Sequence, residues 1–188
     1  MKKKFIPTKY LWVDLEMTGL VPEKDVILEV AGEVSDINLE TLASYESTIG
    51  YKKQLVINRM QENEWWKDFP ENRDAFLTGL SESKSLAEVE KELVEFVDEH
   101  FKGEPAVLAG NSIQSDRAFI KQWMPELELR LHYRMLDVTS WKVVMETMHG
   151  ITFEKPEVHR AFEDIQASIA ELQYYLEWFK NEGKKLNG

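Results

Sequence analysis

A chain of 188 residues with 43% hydrophobic content and six tryptophans is long enough to bury a sizeable core and too apolar to stay disordered. Its formal net charge of −11 argues against a protein that tracks long nucleic acid through a basic surface, but leaves room for an enzyme acting on a short, weakly charged ligand. The chain has no cysteine, which excludes disulfides and favours a reducing, cytoplasmic location.

In chain order, residues 10–17, 26–35 and 42–49 read as three strands, broken by Pro22, by Asp36-Ile-Asn38 and by Gly50. Their short separations predict an antiparallel start to the sheet. Residues 53–83, rich in Asn, Glu, Trp and Phe, are expected to form short helices. Ser85 and Glu88 have the spacing of a capping box, opening an amphipathic helix with Leu86, Val89, Leu93 and Phe96 on one face. A strand over 105–109, a helix from Gln114 to Trp123, a strand over 133–138 and a helix over 139–148 follow. His149-Gly150 marks the end of that helix. The last helix, about 160–180, places Ala161, Ile165, Ile169, Leu172, Leu176 and Phe179 at core spacing. The pattern is a mixed α/β fold in one domain, residues 1–188, with 1–8 and 182–188 as flexible ends. Met1–Pro7 opens like a basic signal-peptide region but lacks its apolar core. No run approaches a membrane span, so no membrane partner is expected.

Asp14 and Glu16 stand two residues apart in the first apolar strand and therefore share a face. Two carboxylates on one face of a buried strand repel each other and lose solvation, and a divalent cation resolves both problems. The other reading is an edge strand with two solvated acids. Further acids follow in Gly110-Asn-Ser-Ile-Gln-Ser-Asp-Arg117 and in His159-Arg-Ala-Phe-Glu-Asp-Ile165.

Together with Asp14-Leu-Glu-Met-Thr-Gly-Leu20, these blocks resemble the oligoribonuclease family, in the histidine-base branch of the DEDD exonuclease superfamily. Met124-Pro-Glu-Leu-Glu128, His132-Tyr-Arg134 with Leu136-Asp-Val138, and Ala170-Glu-Leu with Tyr174-Tyr175 extend the resemblance over essentially the whole chain. It implies a ribonuclease H-like fold, a mixed central sheet flanked by helices. It also implies two-metal hydrolysis of very short RNA oligonucleotides, dinucleotides especially, from the 3′ end to 5′-mononucleotides. A general exonuclease on longer RNA or single-stranded DNA is the alternative, and an inactive nuclease-fold binding module a further one.

The resemblance assigns Asp14, Glu16, Asp116 and Asp164 as ligands of two Mg²⁺ or Mn²⁺ ions, with Asp14 bridging. An all-oxygen set suits those hard cations and disfavours zinc. His159 is the implied general base, taking a proton from the attacking water. Glu163, about 100° round the helix from Asp164, is expected to face solvent. Asp137 is expected to be a local hydrogen-bond partner. Leu20 matches an apolar wedge against the bases, and Ser112, Arg134 and Thr139 match a cap over a 5′ phosphate. Tyr133, and an aromatic from Trp65-Trp66, match residues supplied by the partner subunit of a homodimer.

Overall fold

The computed structural model describes residues 5–154 and 160–186, with only the backbone given for 182–186. Strand β1 (Lys9–Met17) occupies the middle of a five-stranded sheet of order β3-β2-β1-β4-β5. It pairs antiparallel with β2 (Ile27–Asp36), which pairs antiparallel with β3 (Thr41–Thr48). On its other side it pairs parallel with β4 (Ala106–Gly110), itself parallel to β5 (Leu131–Asp137). The mixed sheet and the antiparallel start match the sequence expectation. Asp14 and Glu16 thus lie on a central strand, which rules out the reading as a solvated edge.

Alternation along β1 divides the core. Leu11, Val13 and Leu15 face one layer, with α4 (Leu86–Phe101), α5 (Gln114–Trp123) and α6 (Pro125–Glu128) packed over them. Trp12 faces the opposite layer, where α7 (Val138–Val144) and α8 (Ala161–Leu186) contribute Val138, Ala161, Ile165, Ile169 and Leu172. A third cluster joins Val26 and Leu28 to α1 (Lys53–Gln61), α2 (Trp65–Asp68) and α3 (Pro70–Gly79), the short helices expected over 53–83. The capping box at Ser85 and Glu88 forms, with Ser85 Oγ accepting the Glu88 N–H.

Differences from the sequence reading are local. Helix α6 was too short to leave a periodic signal. The helix expected over 139–148 widens into a π turn, Met145–His149, before stopping at Gly150 in the left-handed region. Phe179 is exposed, not buried: that turn of α8 has run past the core cluster, and the ring meets Trp141 and Trp178 instead. Gly110 ends β4 where a β-carbon would lie 2.9 Å from the Val13 carbonyl oxygen, so the close approach of β4 to β1 needs a glycine.

Candidate active site

Near the C-terminal end of β1, Asp14, Glu16 and Asp164 converge. A carboxylate oxygen from each lies within 4.8 Å of the other two. The strand alternation delivers the first two, and the first turn of α8 delivers the third, whose N–H donates to the Arg160 carbonyl at 3.0 Å. Asp116, in the first turn of α5, is buried and accepts the Leu15 N–H at 3.1 Å. It therefore reads the backbone of β1 between the two strand acids.

The cluster is electrostatically unfavourable when it stands alone. Burial, then the charges of Asp14, Asp164 and Glu29, push the Glu16 carboxyl up to about 8, against a smaller opposing pull from Arg160. Burial and the Asp14 charge likewise hold Asp116 well above the ordinary carboxylate range. Acids that resist ionisation together, all offering oxygen, fit a hard divalent cation, whose charge would compensate them.

Beside the acids, the Thr18-Gly19-Leu20 turn is stapled in place. Thr18 Oγ1 donates to Asp25 Oδ1 at 3.0 Å and accepts the Val26 N–H, while Asp25 Oδ2 accepts the Val21 N–H. The Thr18 carbonyl accepts from Trp66 Nε1 at 2.9 Å. This scaffold leaves Leu20 79% exposed. Leu20, Pro22, Ser112, Gln114, Ser115, Ala118 and Asp137 line one open cleft of about 440 Å³.

Ser112 sits at φ +49, in the left-handed region, and its N–H donates to Asp137 Oδ1 (3.1 Å) and Thr139 Oγ1 (2.8 Å). Asp137 also accepts the Thr139 N–H, capping α7, and so has the local role expected for it. Ser112 and Thr139 are thus neighbours, with hydroxyls 3.1 Å apart. Arg134 and Tyr133 are exposed on edge strand β5, the guanidinium carbon 5.3 Å from the centre of the tyrosine ring. Neither lines the cleft of Leu20 and Ser112.

Trp66 is buried in its own chain and held by Thr18, so it cannot serve a partner subunit; Trp65, half-buried against Phe69, keeps that possibility. His159 lies outside the described residues. Glu163 is exposed, as expected.

Sequence reasoning missed Glu29, fully buried on β2, and its partner Arg160. A glutamate inside Ile27-Leu-Glu-Val-Ala31 carried a usable signal, because a charge in an apolar strand needs a partner. Asp25 and Thr18 also escaped notice, although Gly19 announces the tight turn they stabilise.

Residues 11–172 match the sequence profile of the Exonuclease family, RNase_T. The chain is 37% identical over 177 residues to an oligoribonuclease of Thiobacillus denitrificans, covering 92% of this chain and 96% of that protein. It is 35% identical over 176 residues to a probable oligoribonuclease of Caenorhabditis elegans, covering 92% and 89%. Among solved structures it is similar in fold to exonuclease I of Methylocaldum szegediense (TM-score 0.62, 13% identity). It is likewise similar to E. coli exonuclease I in complex with a dT13 oligonucleotide (TM-score 0.61, 10% identity). The matches cover 89% of this chain in both cases, and the chain spans only about two-fifths of those exonucleases, 40% and 41%.

Proposed function

The chain belongs to the RNase_T exonuclease family, among the oligoribonucleases, and on that footing we propose that it degrades very short RNA oligonucleotides from the 3′ end. Dinucleotides are the favoured substrate and 5′-mononucleotides the product. The observation that carries this reading is the convergence of Asp14, Glu16 and Asp164, with buried Asp116 beside them, on the central strand.

Each group has a task. Asp14, Glu16, Asp116 and Asp164 would hold two divalent ions, Mg²⁺ or Mn²⁺, Asp14 serving as a ligand to both. When bound, such ions supply charge neutralisation at the phosphate and leaving oxygen and ease ionisation of the attacking water. His159 takes the proton of that water as general base. Leu20 wedges against a base from its exposed turn. Ser112, Thr139 and Arg134 cap a 5′ phosphate, combining a hydroxyl donor with a guanidinium fork, and limit the substrate to a few residues.

Tyr133 is 72% exposed on the edge strand, and Leu129, just before that strand, is 75% exposed, which supports a homodimer in which Tyr133 reaches the partner's site. The cysteine-free composition supports a cytoplasmic location. Among the described residues no helix is long and apolar enough to cross a membrane.

Hydrolysis of labelled RNA from the dinucleotide upward, with and without Mg²⁺ or Mn²⁺, tests the reading. A steep, metal-dependent preference for the dinucleotide is expected, and Arg134→Ala should remove it. Equal cleavage of long chains would discard the cap and leave a general exonuclease. No turnover of any oligonucleotide with metal would overturn the assignment itself.

A further inference from the structure

The Ala170–Tyr175 block has no task in the mechanism above, yet it buries a carboxylate. Glu171 is 2% exposed and Tyr175 fully buried on α8. The Tyr175 hydroxyl donates to Glu171 Oε1 at 2.8 Å. Glu171 Oε2 accepts from the Asn111 amide at 3.0 Å, and the same amide donates to Ser168 Oγ at 3.0 Å. Ser168 in turn donates to the Asp164 carbonyl at 2.8 Å. On the other side of its amide group, Asn111 Oδ1 accepts the Thr139 hydroxyl at 3.3 Å. A continuous hydrogen-bonded path therefore runs from the middle of α8 to Thr139, and through Thr139 Oγ1 to the Ser112 N–H.

Apolar residues of similar volume would pack α8 without the desolvation cost of a buried carboxylate. The acid is matched instead to a side chain at a turn that must be held against strain. Ser112 adopts a left-handed conformation that costs about 1 kcal/mol for a residue with a β-carbon. Asn111, the residue immediately before it, is fixed from the α8 side by two acceptors. Asp164 and Glu171, seven residues apart, share one helix face, so the same face presents a site acid and the anchor of the turn.

We infer that Asn111, anchored by Glu171 and Tyr175, is a positioning residue that sets recognition of a 5′-terminal phosphate by Ser112, whose turn it holds through Thr139. The inference rests on the proposed phosphate cap. It assigns Asn111 no contact with the reacting atoms. Its effect is to hold the Ser112 turn: with its proton on Asn111 Oδ1, Thr139 Oγ1 is fixed as the acceptor of the Ser112 N–H, and the Ser112 hydroxyl is the donor left for the phosphate, so Asn111 acts on the affinity for one end of the substrate.

The test compares a dinucleotide carrying a 5′ phosphate with the same dinucleotide lacking it, in wild type, Asn111→Ala, Glu171→Leu, Glu171→Gln, Tyr175→Phe and Arg134→Ala. Asn111→Ala and Glu171→Leu should lower kcat/KM for the phosphorylated substrate about tenfold, the size of one lost hydrogen bond, mainly through KM. Turnover of the unphosphorylated dinucleotide should stay within about twofold of wild type, since none of the site carboxylates is altered and the Ser168 bond to the Asp164 carbonyl remains. Glu171→Gln keeps an acceptor for Asn111 and should restore most of the discrimination; Tyr175→Phe should lose only part of it. Equal losses on both substrates would reduce the network to a structural role and overturn the inference. So would wild-type discrimination that Arg134→Ala abolishes while the Asn111 and Glu171 variants keep it. If wild type does not discriminate and Arg134→Ala changes nothing, the cap reading fails and the inference falls with it.

Discussion

Arg160 grips Glu29 with two nitrogens, Nη2 at 2.6 Å from Oε1 and Nε at 3.1 Å from Oε2. The same fully buried carboxylate accepts the N–H of Ala161, the first residue of α8, at 3.3 Å. Glu29 therefore acts as a helix cap supplied by a neighbouring strand, adding its negative charge where the helix dipole is positive. It also lies directly opposite Glu16 in the β1–β2 register. One residue thus ties the start of α8, and with it Asp164, to the strand pair carrying the site, while its charge raises the cost of ionising Glu16.

Removing Arg160 should be expensive. Arg160→Ala leaves Glu29 buried with the Ala161 N–H as its remaining partner among the bonds described above. The expected loss is about 2–4 kcal/mol, below the value for fully buried pairs because the guanidinium is 45% exposed. Urea denaturation of Arg160→Ala, Glu29→Gln and the double variant measures it. Additive effects would show that the two residues do not act as a pair.

The Leu20 turn gives a second prediction. A β-carbon at Gly19 would lie 2.5 Å from Asp25 Oδ2, so Gly19→Ala must displace the carboxylate that holds Thr18 and Val21. A destabilisation of about 1–3 kcal/mol is expected, with a larger fall in activity than in stability because Leu20 is mispresented. A variant with wild-type melting temperature and wild-type turnover would refute this account of the turn.

Most of the fold was readable because its period signals were clean. Strand β1 is an apolar run interrupted by Asp14 and Glu16, as a strand covered on both faces requires, and α5 begins at Gln114 and ends at Trp123 as the apolar spacing required. The four acids were readable because their order along the chain matches a family, and the three that meet within 4.8 Å include both from β1. What escaped was cross-element chemistry. Glu29 and Arg160 are 131 residues apart, and Asn111 and Glu171 are 60 apart, so no local pattern announces either pairing. Trp66 escaped for another reason: adjacent tryptophans on a short helix give no indication of which ring turns inward.

Asp116 supplies a prediction in which stability and function move in opposite directions. Its carboxyl is buried, close enough to Asp14 for repulsion, and its pKa is raised well above the usual range. Asp116→Asn removes the ionisable group and can keep an oxygen for the Leu15 N–H. The metal-free variant should melt no lower than wild type, whereas hydrolysis should fall by at least about a hundredfold through loss of an electrostatic ligand. Retained turnover would remove Asp116 from the proposed ligand set.

The pH dependence follows from Glu16, whose folded-state carboxyl stands at about 8 against an ordinary value of 4.5. A raised folded pKa means that the unfolded chain releases this proton first. The contribution to stability is full below about 4.5, is lost progressively as pH rises towards about 8, and falls no further above that. Asp116 moves in the same direction. Because Glu16 is only half-buried by surface area, the loss across this window should be about 2–3 kcal/mol. Mn²⁺ or Mg²⁺ must displace the retained proton, so its affinity should rise over the same interval, with proton uptake by the buffer. Melting curves from pH 5 to about 9, in chelator and in saturating Mn²⁺, measure both effects. The metal-free curve should slope downward with pH while the stabilisation by Mn²⁺ grows. Parallel curves would mean that the cation does not meet the Glu16 carboxylate, and the proposed ligand set would have to be redrawn without it.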